Sequence, residues 1–231
     1  MRKQLQWAMV GATLALAGLG ARPAHAVSCA TGDAASYEAL GAGGCTIGDK
    51  TFSNFNFSSV AVTDANVIVT PGQNILTQGD IGFGLTINGL TTIGPGGSTD
   101  LLLKYTVSVN DPDFLISDAH LAFTGGAFGP GGLALVTETL CPPNQPCINK
   151  ILKVFDSPTA TQVSDVANFN GVPTLNISKD MQVFALGAGN FASISGVDQT
   201  FTQIDTPVPE PSSLLLLGSG LLGLAVVARR K

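Results

Sequence analysis

Hydrophobic and polar residues alternate in short segments along most of the chain, and several of these segments are rich in β-branched and aromatic residues. Alternation with a period of two is typical of a β-strand with one buried face. Clusters of Gly, Pro, Asn and Asp, such as GPGGSTD, TGGAFGPGG, CPPNQPC and FNGVP, separate the segments and predict turns. Nine strands are predicted, over residues 51–57, 60–70, 81–89, 100–110, 114–123, 133–140, 148–156, 181–188 and 191–204.

Strands of this length and spacing predict an all-β fold, an antiparallel β-sandwich or jelly-roll-like domain. In the first strand Phe55 and Phe57 share a face, whereas Phe52 is out of step with them. One short helix is predicted over residues 33–40, because Asp33 can cap its start and a glycine follows its end.

The two ends of the chain differ from this pattern. Arg2 and Lys3 precede an uncharged stretch over residues 5–21, and Ala24-His25-Ala26 has the small-x-small pattern of a signal peptidase site. A basic start, an apolar centre and a small-residue cleavage site together predict a secretory signal peptide. Residues 1–26 are therefore assigned to the signal, with cleavage after Ala26.

The C-terminal end carries a second apolar segment, uncharged over residues 211–228. Eighteen residues of helix extend roughly 27 Å, close to the hydrocarbon thickness of a bilayer. The segment is apolar on every face, which disfavours a buried helix of a soluble domain. It predicts a transmembrane helix over about 212–228, preceded by a stiff proline-rich linker that begins at residue 206.

Positive charge at the end of the chain gives the orientation of this helix. Arg229, Arg230 and Lys231 follow the apolar run directly, and basic residues beside a membrane span stay on the cytoplasmic side. The rest of the chain is then outside, as the signal peptide also requires. The predicted organisation is a signal (1–26), an exported domain (27–205), and a linker with a membrane segment (206–231).

The exported domain is strongly acidic. Residues 27–205 contain fifteen Asp and Glu against five Lys and no Arg, a formal charge of −10. Phosphate binding depends on Lys and Arg, so this balance argues against a nucleic-acid partner.

All four cysteines lie in the exported domain, as Cys29 with Cys45 and Cys141 with Cys147. An even count in a secreted domain predicts disulfides, and four cysteines allow three connectivities. Short loops favour the two local pairs. We expect no metal site, because the domain has a single histidine and its thiols would be oxidised.

No catalytic constellation is evident in the sequence, and no cofactor is expected. His120 lies in a predicted strand between apolar neighbours, where a partly exposed structural role is the simpler interpretation. Asp111 and Asp113 suggest a calcium loop or an acid/base pair, which Asp118 and Glu138 would join if the fold brought them together. Asn-Asp-Pro-Asp is more typical of a turn. The chain is therefore expected not to be an enzyme.

The sequence Val-Pro-Glu-Pro (208–211), followed by an apolar helix and a basic cluster, resembles the PEP-CTERM sorting signal of Gram-negative bacteria. The resemblance covers residues 208–231 and implies recognition of Pro209, Glu210 and Pro211 by exosortase, a membrane-embedded cysteine transpeptidase. It also implies cleavage near this motif, an inner-membrane intermediate, and association with extracellular polysaccharide and the biofilm matrix.

A looser resemblance concerns the exported domain itself. GGCTIGDKTFSNFNF (43–57) and LVTETLC (135–141) are similar to a recurring group of PEP-CTERM exported proteins of undefined molecular role, a resemblance that implies a common fold and adds nothing about activity.

These features lead to one expectation and two alternatives. The expected function is that of a non-enzymatic protein of the cell surface or extracellular matrix, sorted by exosortase. The alternatives are a carbohydrate-binding module, and a surface protein that keeps its membrane anchor.

Overall fold

A computed structural model describes residues 27–72 and 81–206. The predicted signal peptide and the predicted transmembrane helix lie outside these residues. Within them, no helix has the length and apolar character needed to cross a bilayer. In chain order the elements are β1 (Val27–Ser28), β2 (Gly32–Asp33), α1 (Ala34–Glu38), β3 (Cys45–Ile47), β4 (Lys50–Ser58), a 3-10 turn (Asp64–Asn66), β5 (Val67–Pro71), β6 (Ile81–Ile87), β7 (Thr91–Ile93), β8 (Gly97–Val109), β9 (Phe114–Phe128), β10 (Gly132–Cys141), β11 (Leu152–Ser157), β12 (Ala160–Gln162), β13 (Ser164–Val172), β14 (Thr174–Ala185), β15 (Phe191–Phe201) and β16 (Gln203–Asp205).

The strands form two sheets that enclose one hydrophobic core. Sheet 1 has the order β1-β3-β4-β8-β14-β10-β11-β12, and sheet 2 has the order β13-β9-β15-β6-β5-β2. Two short strands extend sheet 2, since β16 pairs with β9 and β7 pairs with β15. Apart from the short parallel pair β1–β3, the pairings are antiparallel. The predicted all-β antiparallel sandwich is confirmed.

Strict alternation places one face of each long strand in the core. In β8 the residues Leu101, Leu103, Tyr105 and Val107 are buried, and the residues between them are at least partly exposed. Because side chains of successive strand residues point to opposite faces, each such strand buries the apolar side chains of one face against the other sheet.

Phe52, which is out of step in sequence, is nevertheless buried with Phe55 and Phe57. A register shift between Ser53 and Asn56 accounts for this. Asn54 has φ 55°, in the left-handed region, and an extra residue in one strand of a pair moves the following side chains to the other face. All three phenylalanines therefore reach the core.

Some predicted boundaries are wrong. Residues 60–66 form a loop with a 3-10 turn, and the strand predicted from Val60 begins only at Val67. Residues 148–151 precede β11 instead of opening it. The turn predicted at 169–173 is occupied mostly by β13, and only Pro173 separates it from β14. Proline lacks the amide that a strand interior needs, so the two strands divide there.

The predicted helix is present in a shorter form, α1. Its first-turn amide, Ser36 N, donates a 2.9 Å hydrogen bond to Asp33 Oδ1. This cap satisfies one of the amides that have no partner inside a helix, and it stabilises the negative charge, which lowers the pKa of Asp33.

Candidate functional site

The chain leaves the sandwich beside the start of β9. In β16, Gln203 pairs with Ile116 and Asp205 with Phe114, and the amide of Thr206 donates a 2.7 Å hydrogen bond to the carbonyl of Asp113. Outside the described residues lie the predicted sorting motif, Pro209, Glu210 and Pro211, and the basic residues Arg229, Arg230 and Lys231. Pro209 follows Thr206 by three residues, so at most about 11 Å of chain separates them.

The start of the described chain is held in sheet 1. Val27 pairs with Cys45, and the amide of Cys29 donates a 2.9 Å hydrogen bond to the carbonyl of Thr46. The residue that follows the predicted cleavage after Ala26 is thus already part of a strand.

Both local disulfides are confirmed. Cys29 is bonded to Cys45, and Cys141 is bonded to Cys147. The first joins the N-terminal strand to β3, and the second closes the proline-rich loop that follows β10. No other cysteine occurs in the sequence.

The candidate acid/base residues are dispersed. Asp111 Oδ1 accepts a 3.0 Å hydrogen bond from the amide of Asp113, which forms a local turn. Asp118 Oδ1 accepts a bond from the amide of Thr202 and lies 3.4 Å from His120 Nε2, and both side chains are partly exposed. Across residues 27–72 and 81–206, no three His, Cys, Asp or Glu side chains are grouped as ligands of a metal ion would be.

Glu138 does not join these acids. It is completely buried in the core, directly opposite Lys179 in the pairing of β10 with β14. Lys179 Nζ donates to Glu138 Oε2 and, over 2.6 Å, to Gln199 Oε1 on sheet 2. In sequence, Glu138 and Lys179 each alternate in phase with apolar residues that are buried. This periodicity was the signal from which their burial could have been predicted.

At the end of the sandwich opposite Thr206, three apolar residues form a row across sheet 2. Phe191 of β15 pairs with Ile93 on one side and with Phe128 on the other. Directly opposed residues in antiparallel strands project to the same face, so the three side chains lie next to each other. Ile93 and Phe128 are 72% and 73% exposed. We call Ile93, Phe191 and Phe128 the apolar row.

The loops around the apolar row are fixed by a buried side chain, Asn190. Its Oδ1 accepts a 3.2 Å hydrogen bond from the amide of Gly131, and its Nδ2 donates to the carbonyls of Leu186 and Gly187. Its carbonyl accepts a 3.0 Å bond from the amide of Gly94. One residue therefore connects three loops.

The apolar row also differs from the rest of the domain in charge. The three segments that build this end, residues 84–99, 121–137 and 184–197, contain no charged residue. The domain as a whole carries a formal charge of −10. The row and its loops therefore contain no charged side chain of their own, and the carboxylate of Asp156 borders them, since its Oδ2 accepts a 2.8 Å hydrogen bond from the amide of Ala127.

Three solved structures show weak similarity to the chain. A carbohydrate-binding module of the β-sandwich superfamily is 13% identical, with 69% of this chain and 58% of that chain covered and a TM-score of 0.31. TmCBM61, in complex with β-1,4-galactotriose, is 14% identical over 67% of this chain and 90% of that chain, with a TM-score of 0.30. Endoglucanase 3 of Trichoderma harzianum, from family GH12, is 11% identical over 64% and 98%, with a TM-score of 0.25. This chain thus spans 58% of the first structure's length, and similarity at this level assigns no ligand or activity.

No curated protein matches the chain. Residues 207–231 match the family model described as the PEP-CTERM protein-sorting motif. This match includes Pro209, Glu210 and Pro211 together with the apolar run and the basic end. The chain therefore carries a PEP-CTERM protein-sorting motif, and it is an exported, membrane-transiting protein sorted to the cell envelope by exosortase.

Proposed function

We propose that the chain is a non-enzymatic component of the cell surface or extracellular matrix of a Gram-negative bacterium, released from the inner membrane by exosortase cleavage at Pro209–Pro211. The observation that carries the proposal is the placement of the sorting motif. β16 ends at Asp205, so the motif follows the folded domain almost directly. Cleavage there removes the membrane segment and leaves the sandwich intact.

The arrangement of the acidic side chains supports a non-enzymatic role. Asp111 stabilises its own turn, Asp118 holds the amide of Thr202, and Glu138 is enclosed in the core. A general acid or base must be free to come within hydrogen-bond reach of its substrate. These carboxylates are assigned to structural contacts instead.

The apolar row supports a second candidate function, binding of a neutral polysaccharide. β9 runs from the exit end at Phe114 to Phe128 over fifteen residues, roughly 45–50 Å at the usual rise of a strand. The row is thus presented on the side away from the sorting segment. Aromatic rings provide rigid apolar contact area, and an apolar surface bordered by the carboxylate of Asp156 on an acidic domain suits a neutral polymer better than an anionic one.

Binding is tested by co-sedimentation of the mature protein with the neutral fraction of the host's extracellular polysaccharide. We expect wild-type protein to sediment with the polymer and Phe128→Ser to lose at least tenfold in apparent affinity. Val60→Ser is the matched control, because Val60 is 96% exposed and lies outside the apolar row.

Two results would reject the glycan assignment. One is equal sedimentation of wild-type protein and Phe128→Ser. The other is concentration-dependent self-association that Phe128→Ser abolishes without any binding to the polymer, which would assign the row to a second copy of the chain.

A further inference from the structure

Three polar side chains meet in the centre of the sandwich. Glu138 and Lys179 are 0% exposed and Gln199 is 1% exposed. Glu138 and Lys179 belong to sheet 1, and Gln199 projects from β15 of sheet 2. Lys179 Nζ donates to both others, with 2.6 Å to Gln199 Oε1. The amine of one sheet is thus in contact with the carboxamide of the other.

Some polar atoms of this cluster have no hydrogen-bond partner. Glu138 Oε1 and Gln199 Nε2 are buried without a hydrogen-bond partner, and so is the hydroxyl of Tyr105. Buried polar groups in native proteins are nearly always paired, and an unpaired one costs about 1–3 kcal/mol. A reaction that removes the amide nitrogen of Gln199 would remove one of these unpaired groups.

The surroundings of the cluster exclude water. Phe83, which pairs with Gln199 in sheet 2, packs its ring 5.1 Å from that of Tyr105. Burial raises the pKa of Tyr105, and the nearby carboxylate of Glu138 adds to this effect. Tyr105 and Phe83 therefore form an aromatic wall next to Glu138 and Gln199.

Burial also favours the uncharged forms of the pair. Desolvation lowers the pKa of Lys179 and raises that of Glu138, although their mutual attraction opposes both changes. The amide of Gln199 is close enough to Glu138 to lower the pKa of this carboxyl in part. A neutral amine is a nucleophile, and a protonated carboxyl can donate a proton to a leaving group.

We propose that Lys179 and Gln199 form an isopeptide cross-link between the two sheets, with Glu138 as the proton carrier. The neutral Lys179 Nζ attacks Gln199 Cδ, the protonated Glu138 gives its proton to the departing Gln199 Nε2, and the resulting carboxylate takes a proton from the attacking nitrogen. The new bond is Nζ–Cδ, the broken bond is Cδ–Nε2, and one ammonia leaves. No oxidant, metal or cofactor takes part, and Glu138 ends in the protonation state in which it began.

The cross-link would connect β14 to β15, and hence sheet 1 to sheet 2, by a bond that reducing agents do not break. Residues 179 and 199 are 20 positions apart. Such a link withstands conditions that reduce both disulfides. The inference does not depend on what the apolar row binds or on where exosortase cleaves.

The test is mass spectrometry of the mature protein from its host, reduced, alkylated and digested with a protease that cleaves before aspartate, which separates residue 179 from residue 199 at Asp180 and Asp198. We expect the peptides that contain Lys179 and Gln199 to appear as one branched species, lighter than their sum by one ammonia, about 17 Da. Lys179→Met and Glu138→Gln should yield two separate peptides of full mass. Lys104→Met, which changes an exposed lysine on β8, should keep the branched species.

Separate, unmodified peptides from the wild-type protein would overturn the proposal without reference to any variant. A loss of ammonia that persists in Lys179→Met would also overturn it, because the loss would then arise elsewhere. Lys179→Met alone removes one partner of a buried pair, which is destabilising, so the double variant Lys179→Met/Glu138→Met, in which apolar side chains replace both partners, serves as a second variant that also cannot form the link.

Discussion

Lys50 Nζ donates a 2.9 Å hydrogen bond to Gln203 Oε1, and so connects β4 to the last strand before the sorting motif. The lysine is 1% exposed, and its second partner is Asp49 Oδ1 at 3.1 Å. A buried ammonium group needs such partners because desolvation otherwise disfavours its charge. The contact fixes β16 at the point where the chain leaves the sandwich.

Lys50→Met should loosen β16. Loss of the buried donor leaves Gln203 and Asp49 without their partner, and we expect the free energy of unfolding to fall by about 1–3 kcal/mol. Hydrogen exchange at residues 203–206 should accelerate more than exchange in β14. Lys104→Met serves as the control, since Lys104 is exposed. Unchanged protection of residues 203–206 would contradict this role of Lys50.

The two disulfides should differ in their contribution to stability. Cys29 and Cys45 are separated by 16 positions, and Cys141 and Cys147 by 6. In the loop-entropy description, the longer loop stabilises by about 3 kcal/mol and the shorter by about 2.4 kcal/mol. Urea denaturation of the two Cys→Ser double variants measures both values. A larger loss for the 141–147 pair would show that loop entropy does not dominate.

Asp198 should make stability depend on pH. It is 5% exposed, and burial raises its pKa to about 6, although the charge of Lys179 opposes the rise. The unfolded chain loses this proton near pH 4. Between about pH 4 and 6 the folded state therefore binds more protons than the unfolded state, and rising pH lowers its stability.

Asp198→Asn removes this titration. We expect the stability of the variant relative to wild type to increase from pH 4.5 to pH 7, measured by urea denaturation. Asp64→Asn, which removes the same charge from an exposed position, serves as the control. A constant difference between wild type and Asp198→Asn across this pH range would contradict the assignment.

Asn190→Ala should loosen the loops that carry the apolar row. The amide of Gly131 and the carbonyls of Leu186 and Gly187 lose their side-chain partner, at a cost of about 1–3 kcal/mol for an unsatisfied buried group. Hydrogen exchange should accelerate at Gly131 while the centre of β14 stays protected. Exchange that accelerates uniformly over the domain would instead indicate general destabilisation.

Local chemistry made several features predictable from sequence. The period-two pattern predicted most of the long strands, Asp33 predicted the helix cap, and the cysteine spacing predicted both disulfides. The sorting motif was readable because proline, an apolar run and terminal positive charge each have a direct physical meaning at a membrane.

Other features depend on tertiary contacts that no local pattern contains. The bulge at Asn54 brings Phe52 into the core. The sequence pattern predicted β14 only from residue 181, whereas the strand begins at Thr174. The reason is that Lys179 interrupts an otherwise apolar buried face, and its partner Glu138 belongs to a different strand. The apolar row joins Ile93 and Phe128 through strand pairing across distant parts of the sequence.

The central claim is that exosortase cleaves this protein beside its folded domain. The most direct test is C-terminal sequencing by mass spectrometry of the protein recovered from the host's envelope and medium. The account predicts a mature chain that begins at Val27 and ends near Pro209–Pro211, and an intact chain in a strain without exosortase. A chain from the wild-type strain that still ends at Lys231 would contradict it.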